Sequence, residues 1–219
     1  MNTNYLLFQI YPYCSIIIFI IVILPRKNNK QYILKKQIRN DYGTWFNLGN
    51  KLFHWSAILL MVGHLIGLFT PEKVYLHIIS VEKKQALAIF LGGTLGVICF
   101  IGLTVMIIQR LFNKQLQSTN TASRIIILFL VYIQLILGLL TIPVSFNHPD
   151  GQEMLNLTRW IQHIVIFDSS AYKFLTLVHW IYKIHILLGM TILIIFPFTR
   201  LAYAIKLPLK NMTDTRYIK

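Results

Sequence analysis

The stretch KLFHWSAILLMVGHLIGLFT, residues 51–70, follows its one lysine with an unbroken apolar run that carries two histidines, His54 and His64. About 20 apolar residues are enough to cross a bilayer core as a helix. The run therefore reads as a membrane span with ionisable side chains inside it. Working outward, five segments qualify: residues 5–24, 50–69, 86–108, 125–146 and 175–205. The fifth exceeds a simple crossing, and Pro197 within it predicts a bend, which lipid tolerates where neighbours satisfy the freed carbonyl. Of the 219 residues 56% are hydrophobic and only seven are acidic, more apolar surface than a soluble domain of this size could bury. The sequence thus predicts an all-α integral membrane protein, a five-transmembrane-helix bundle in which residues 1–219 form one membrane-embedded domain.

Charge sets the expected orientation. Residues 26–51, 110–124 and 200–219 hold fifteen Lys/Arg against Asp41 and Asp214. Residues 71–85 and 147–183 hold six Lys/Arg against five acids. Cytoplasmic flanks collect Lys and Arg, so the N-terminus is expected outside and the C-terminus in the cytoplasm. The net charge of +14 is then a matter of topology, with some attraction to anionic lipid, and no soluble surface for reading nucleic acid is visible. Residues 5–24 lack a positive n-region and a small-x-small cleavage site, which favours an uncleaved helix over a signal peptide. Cys14 and Cys99 both fall in apolar segments and read as small buried hydrophobes. Two cysteines do not suffice for an iron–sulfur cluster.

Seven histidines are present. His77, His148, His163 and His179 fall in or beside the outer loops and read as solvated or interfacial residues. His54, His64 and His185 sit within apolar helices, where an ionisable group is costly and is a functional candidate; the plain alternative is a neutral imidazole hydrogen-bonded between helices. His54 and His64 are ten residues apart, about 15 Å along a helix axis, with directions about 80° apart. His64 lies towards the outer end of helix 2, and His185 near the outer end of the oppositely running helix 5. Two neutral imidazoles at similar depth on facing helices can hold a haem iron. Gly63, Gly67, Gly92, Gly93, Gly96 and Gly189 leave room for the macrocycle, although glycines also pack helices without any cofactor. Five helical turns after His185, about 27 Å further inward, the position facing His54 is 203, and Tyr203 occupies it.

Several stretches in order carry a resemblance: IYPY in helix 1, LFHWSAILLMVGHLIGLFTP through helix 2, KKQALAIFLGG entering helix 3, then QRLF, ILGLLTIPVSFNHPDG and KIHILLGMTILIIFPFTRLAYAIKLP. Together they resemble the cytochrome b (gamma) subunit of membrane-bound respiratory nitrate reductase, nearly end to end. The resemblance implies a five-helix anchor carrying two b haems. Such a subunit oxidises quinol (menaquinol or ubiquinol) at the outer face of the bacterial inner membrane. It passes electrons to a cytoplasmic iron–sulfur subunit and a molybdenum catalytic subunit. By match, His64 and His185 ligate the outer haem and His54 the inner one, while Gly63, His64 and Lys84 belong to the quinol site. Arg110 matches an arginine that meets a haem propionate, with a positive-inside flank as its other reading. Lys84 taken alone reads equally as a lysine snorkelling at the membrane edge.

Tyr203 departs from the pattern, since the family implies a second histidine ligand there. Three readings stay open: a phenolate ligand opposite His54, an inner haem held by His54 alone, or no inner haem and an interfacial tyrosine. The competing functions are a cytochrome b subunit of another molybdenum or iron–sulfur oxidoreductase, and a membrane anchor that has lost one or both haems. No internal repeat or broken-helix pair suggests a transporter.

Overall fold

The computed structural model describes residues 3–24, 43–117 and 122–199, and among these every regular element is helical. Five helices are long and apolar enough to cross a membrane. They are α1 (Thr3–Ile23), α2 (Thr44–Phe69), α4 (Val81–Phe112), α6 (Ala122–Asn147) and the last span, Trp180–Phe198. That span comprises α9 (Trp180–Ile195) and a 3₁₀ turn, Phe196–Phe198. Shorter helices connect them: α3 (Glu72–Tyr75), α5 (Lys114–Gln117), α7 (Gln152–Val165) and α8 (Tyr172–Thr176). Large apolar side chains such as Ile21, Met61, Phe90 and Ile126 lie on the exterior, as a lipid-facing surface requires.

The spans pack in a row: α2 on α4, α4 on α6, α6 on α9, and α9 on α1. Small residues let α2 and α4 approach most closely. A Cβ added at Gly102 would lie 2.6 Å from the Phe53 nitrogen and 2.9 Å from the Gly49 carbonyl, so the two backbones touch there. The start of α4 is fixed by Ser80, whose hydroxyl accepts the Lys83 N–H at 3.4 Å, with Glu82 in the first turn.

The segment between α6 and α9, read from sequence as outer loop, instead builds a helical cap. Asp150 Oδ1 accepts the first N–H of α7 at 3.3 Å, and the helix buries Leu155, Trp160 and Ile164. Trp160 donates its indole N–H to the Phe8 carbonyl at 2.9 Å, within a π-helical turn of α1 (Leu6–Ile10). Gln9 donates to the Asp168 carbonyl at 2.9 Å and accepts the Tyr172 N–H at 3.1 Å. Gln162 donates to the Leu68 and Thr70 carbonyls, both at 3.2 Å, which closes the end of α2. Arg159 pairs with Glu72 at 3.0 Å and holds α3 against α7.

Two expectations need correction. The fifth span does not run unbroken over residues 175–205. Leu175 belongs to α8, the span begins at Trp180, and α9 ends at Ile195, where the chain tightens into a 3₁₀ turn. Pro197 has no N–H to give and its ring crowds the carbonyl four residues earlier, so the α-helix stops rather than bends. The five-turn count from His185 to position 203 assumes an unbroken helix; Thr199 is extended, and position 203 lies outside the described residues. Cys14 is exposed on α1, whereas Cys99 is buried as expected, and both are free thiols.

Gly102→Ala is expected to push α2 from α4 and cost about 1–3 kcal/mol of stability. Gly92→Ala, where a Cβ meets nothing within 4 Å, should be near neutral. Thermal unfolding of the two variants in detergent checks the contrast.

Candidate functional site

His64 lies on α2, less than two turns before its end at Phe69, and its Nδ1 is 2.8 Å from the Leu60 carbonyl. A carbonyl only accepts, so Nδ1 carries the proton and Nε2 keeps its lone pair free for a ligand. The preceding Gly63 is open: a Cβ there would meet nothing within 4 Å, and the same holds at Gly67 and Gly92.

His185 sits in the second turn of α9, against α6. Two notches accommodate it reciprocally. A Cβ on Gly138 would come within 3.1 Å of the His185 ring, and one on Gly189 within 3.1 Å of the Gln134 amide. Gln134 Nε2 donates to the His185 carbonyl at 3.1 Å and stands 3.4 Å from the ring Nε2. The ring Nδ1 is buried with no hydrogen-bond partner among the described residues, as is Gln134 Oε1. An unpartnered buried polar group costs about 1–3 kcal/mol, which a ligand would offset.

The helices α2 and α9 are not neighbours in the packing row, and His64 is exposed on α2 while His185 packs on α6. Their donor set fits haem: one imidazole with a fixed tautomer and a free nitrogen, a second whose nitrogens lack a strong partner, and glycines with open space nearby. Among the described residues no three His, Cys, Asp or Glu side chains gather as a multidentate metal site would need.

Lys84 lies in the first turn of α4 and is buried. Its ammonium does not reach for water but sits 3.8 Å from the centroid of the Tyr75 ring, at the cap end of the bundle. His54 is exposed on α2, edge-on to Trp55 at 6.3 Å. Arg110, in the last turn of α4, lies 5.3 Å from the Phe46 ring, eight residues before His54 on α2. Tyr203 lies outside the described residues.

Of the remaining histidines, His77 and His148 are exposed and bond to local carbonyls. His179 caps α9, accepting the Ile181 N–H at 3.3 Å. His163 donates to Asp168 at 2.7 Å, beside a cleft of ≈ 670 Å³ whose lining includes Glu72, Lys73, Arg159 and Phe174. Neither His64 nor His185 lines that cleft. Sequence reasoning missed Gln134, though an amide inside an apolar run carries the same signal as the histidines. It also missed Tyr75, which no spacing marks.

A five-helix membrane protein that carries histidines within its apolar spans is the class that fold and site define. Residues 4–219 match the model of the nitrate reductase gamma subunit family, and the chain belongs to that family. It is 38% identical to the respiratory nitrate reductase 1 gamma chain of Escherichia coli over 96% of its length and 94% of the relative's. It is 36% identical to the respiratory nitrate reductase 2 gamma chain of that organism, covering 96% and 93%. The nitrate reductase gamma chain of Bacillus subtilis shares 31% identity over 75% of this chain and 74% of its own.

Hydrogen bonds from His163 and from the Ser170 N–H hold the Asp168 carboxyl down at about 2. Its support of the cap is therefore fully present above the ordinary value of 3.8 and lost as pH falls through about 2. Asp168→Asn should remove that support at neutral pH, read as faster amide exchange across residues 166–172.

Proposed function

We propose that this chain is the haem b membrane-anchor subunit of a respiratory nitrate reductase, oxidising quinol near its outer end. In this reading the capped end faces outward, the C-terminus is cytoplasmic and the chain spans the bacterial inner membrane. The single observation that supports it best is the match of residues 4–219 to the nitrate reductase gamma subunit family, in a five-helix chain whose His64 and His185 lie within apolar spans. Electrons from quinol are destined for an iron–sulfur subunit and a molybdenum catalytic subunit on the cytoplasmic side, the two partners that the family reading supplies.

His64 and His185 are the residues that would hold the outer haem, through the free Nε2 of His64 and a ring nitrogen of His185. A haem with two imidazole ligands supplies one-electron redox chemistry when bound. On the inner side His54 is the candidate ligand and Arg110 the residue that would meet a propionate, while Tyr203 lies outside the described residues.

Lys84, Gly63 and His64 form the quinol site. Gly63 leaves space for a headgroup to approach the α2 backbone. The Lys84 ammonium stabilises negative charge on a quinol oxygen as its proton departs, and it acts strongly because no carboxylate partners it among the described residues. Protons released outside while nitrate is reduced inside would add to the proton-motive force.

His64→Ala and His185→Ala should each abolish the outer-haem signal in the dithionite-reduced spectrum, with the polypeptide still present in the membrane. Persistence of the full spectrum in either variant would refute the assignment. Lys84→Ala should keep that spectrum and slow haem reduction by added quinol at least tenfold.

A further inference from the structure

Three polar atoms at the capped end are buried without a hydrogen-bond partner among the described residues: the Tyr75 hydroxyl, Lys84 Nζ and Gln85 Oε1. Their side chains are nearly sealed, with Tyr75 4%, Lys84 8% and Gln85 4% exposed. Proteins keep few such groups, and a cluster of them marks a place where a polar ligand or ordered water belongs.

The cluster is rigidly built. Gln85 donates to the Ser145 carbonyl at 2.8 Å and to that of His148 at 2.7 Å, which pins the first turn of α4 to the end of α6. The neighbouring Lys84 then lays its ammonium on the Tyr75 ring face at 3.8 Å, an attraction of cation and π-cloud that fixes the long side chain. Tyr75 is itself held by α3, whose Glu72 is clamped by Arg159 of the cap. Burial pushes the Tyr75 hydroxyl above its ordinary value, so at neutral pH it is a proton-bearing donor. Ammonium on the ring face and hydroxyl on the ring edge are thus two unpartnered donors presented by one residue pair.

We propose that Tyr75 is a quinol-binding residue, its ring seating the Lys84 ammonium and its hydroxyl donating a hydrogen bond to an oxygen of the quinol headgroup. This rests on the reading of Lys84 as part of the quinol site. An aromatic diol, oxygen-rich and otherwise apolar, is the ligand chemistry that two sealed donors beside an apolar bundle suit.

The test uses the full chain in membranes with its haem in place, and a hydroxyquinoline N-oxide as the quinol-site probe, titrated by fluorescence quenching. Tyr75→Phe keeps the ring under Lys84 and removes only the hydroxyl. It should weaken probe binding about tenfold and leave the reduced haem spectrum unchanged. Lys84→Ala, run in parallel, should weaken the probe as well. Wild-type affinity in Tyr75→Phe with weakened binding in Lys84→Ala would overturn the role of Tyr75 alone. Wild-type affinity in both variants would overturn the placement of Lys84 in the quinol site, and the role of Tyr75 with it.

Discussion

Inside a membrane span no water is at hand, so every polar group must find its partner within the bundle or in a bound ligand. Most of this chain obeys that constraint locally. Ser56 returns its hydroxyl to the Leu52 carbonyl, Thr94 to Phe90 and Thr104 to Phe100. The exceptions are what give the molecule its chemistry. Among the described residues, buried atoms of His185 on α9, Gln134 on α6, Lys84 and Gln85 on α4 and Tyr75 on α3 have no hydrogen-bond partner. An apolar helix bundle with no ligand would have little reason to keep them there.

The cap makes those exceptions sustainable. Trp160, Gln9 and Tyr13 lock α7 and the loop after it to α1, with Tyr13 donating to the Ile164 carbonyl at 2.8 Å. Phe167, in the left-handed region at φ 61°, is stacked on Tyr13 at 5.5 Å. Gln162 closes α2 just beyond His64, and Glu153 accepts the His179 N–H where α9 begins. The two helices that carry His64 and His185 are thus both anchored through the same 14-residue helix. Position is fixed at the cap, and chemistry is left to the side chains beneath it.

Much of this was legible in the sequence. The spans follow from run length and hydropathy, and the boundaries differ mainly because α2 and α4 extend beyond their apolar cores, to Thr44 and to Phe112. His64 and His185 stand out because ionisable groups in apolar runs are rare. What stayed hidden depends on tertiary contact. Tyr75 looks like any membrane-edge aromatic until Lys84 is found lying on it. The α7 cap mixes polar and apolar residues and declares itself only once α1 and α2 supply partners. The α-helix ends before Pro197, which sequence flagged as a bend but not as an end, and position 203 beyond it lies outside the described residues.

Haem ligation by His64 and His185 is the central claim, and the most direct measurement is the low-temperature electron paramagnetic resonance spectrum and haem content of the purified, oxidised chain. At least one b haem per polypeptide, low-spin with two imidazole ligands, is the predicted result. A chain that purifies without haem, or with only a high-spin haem, would contradict it.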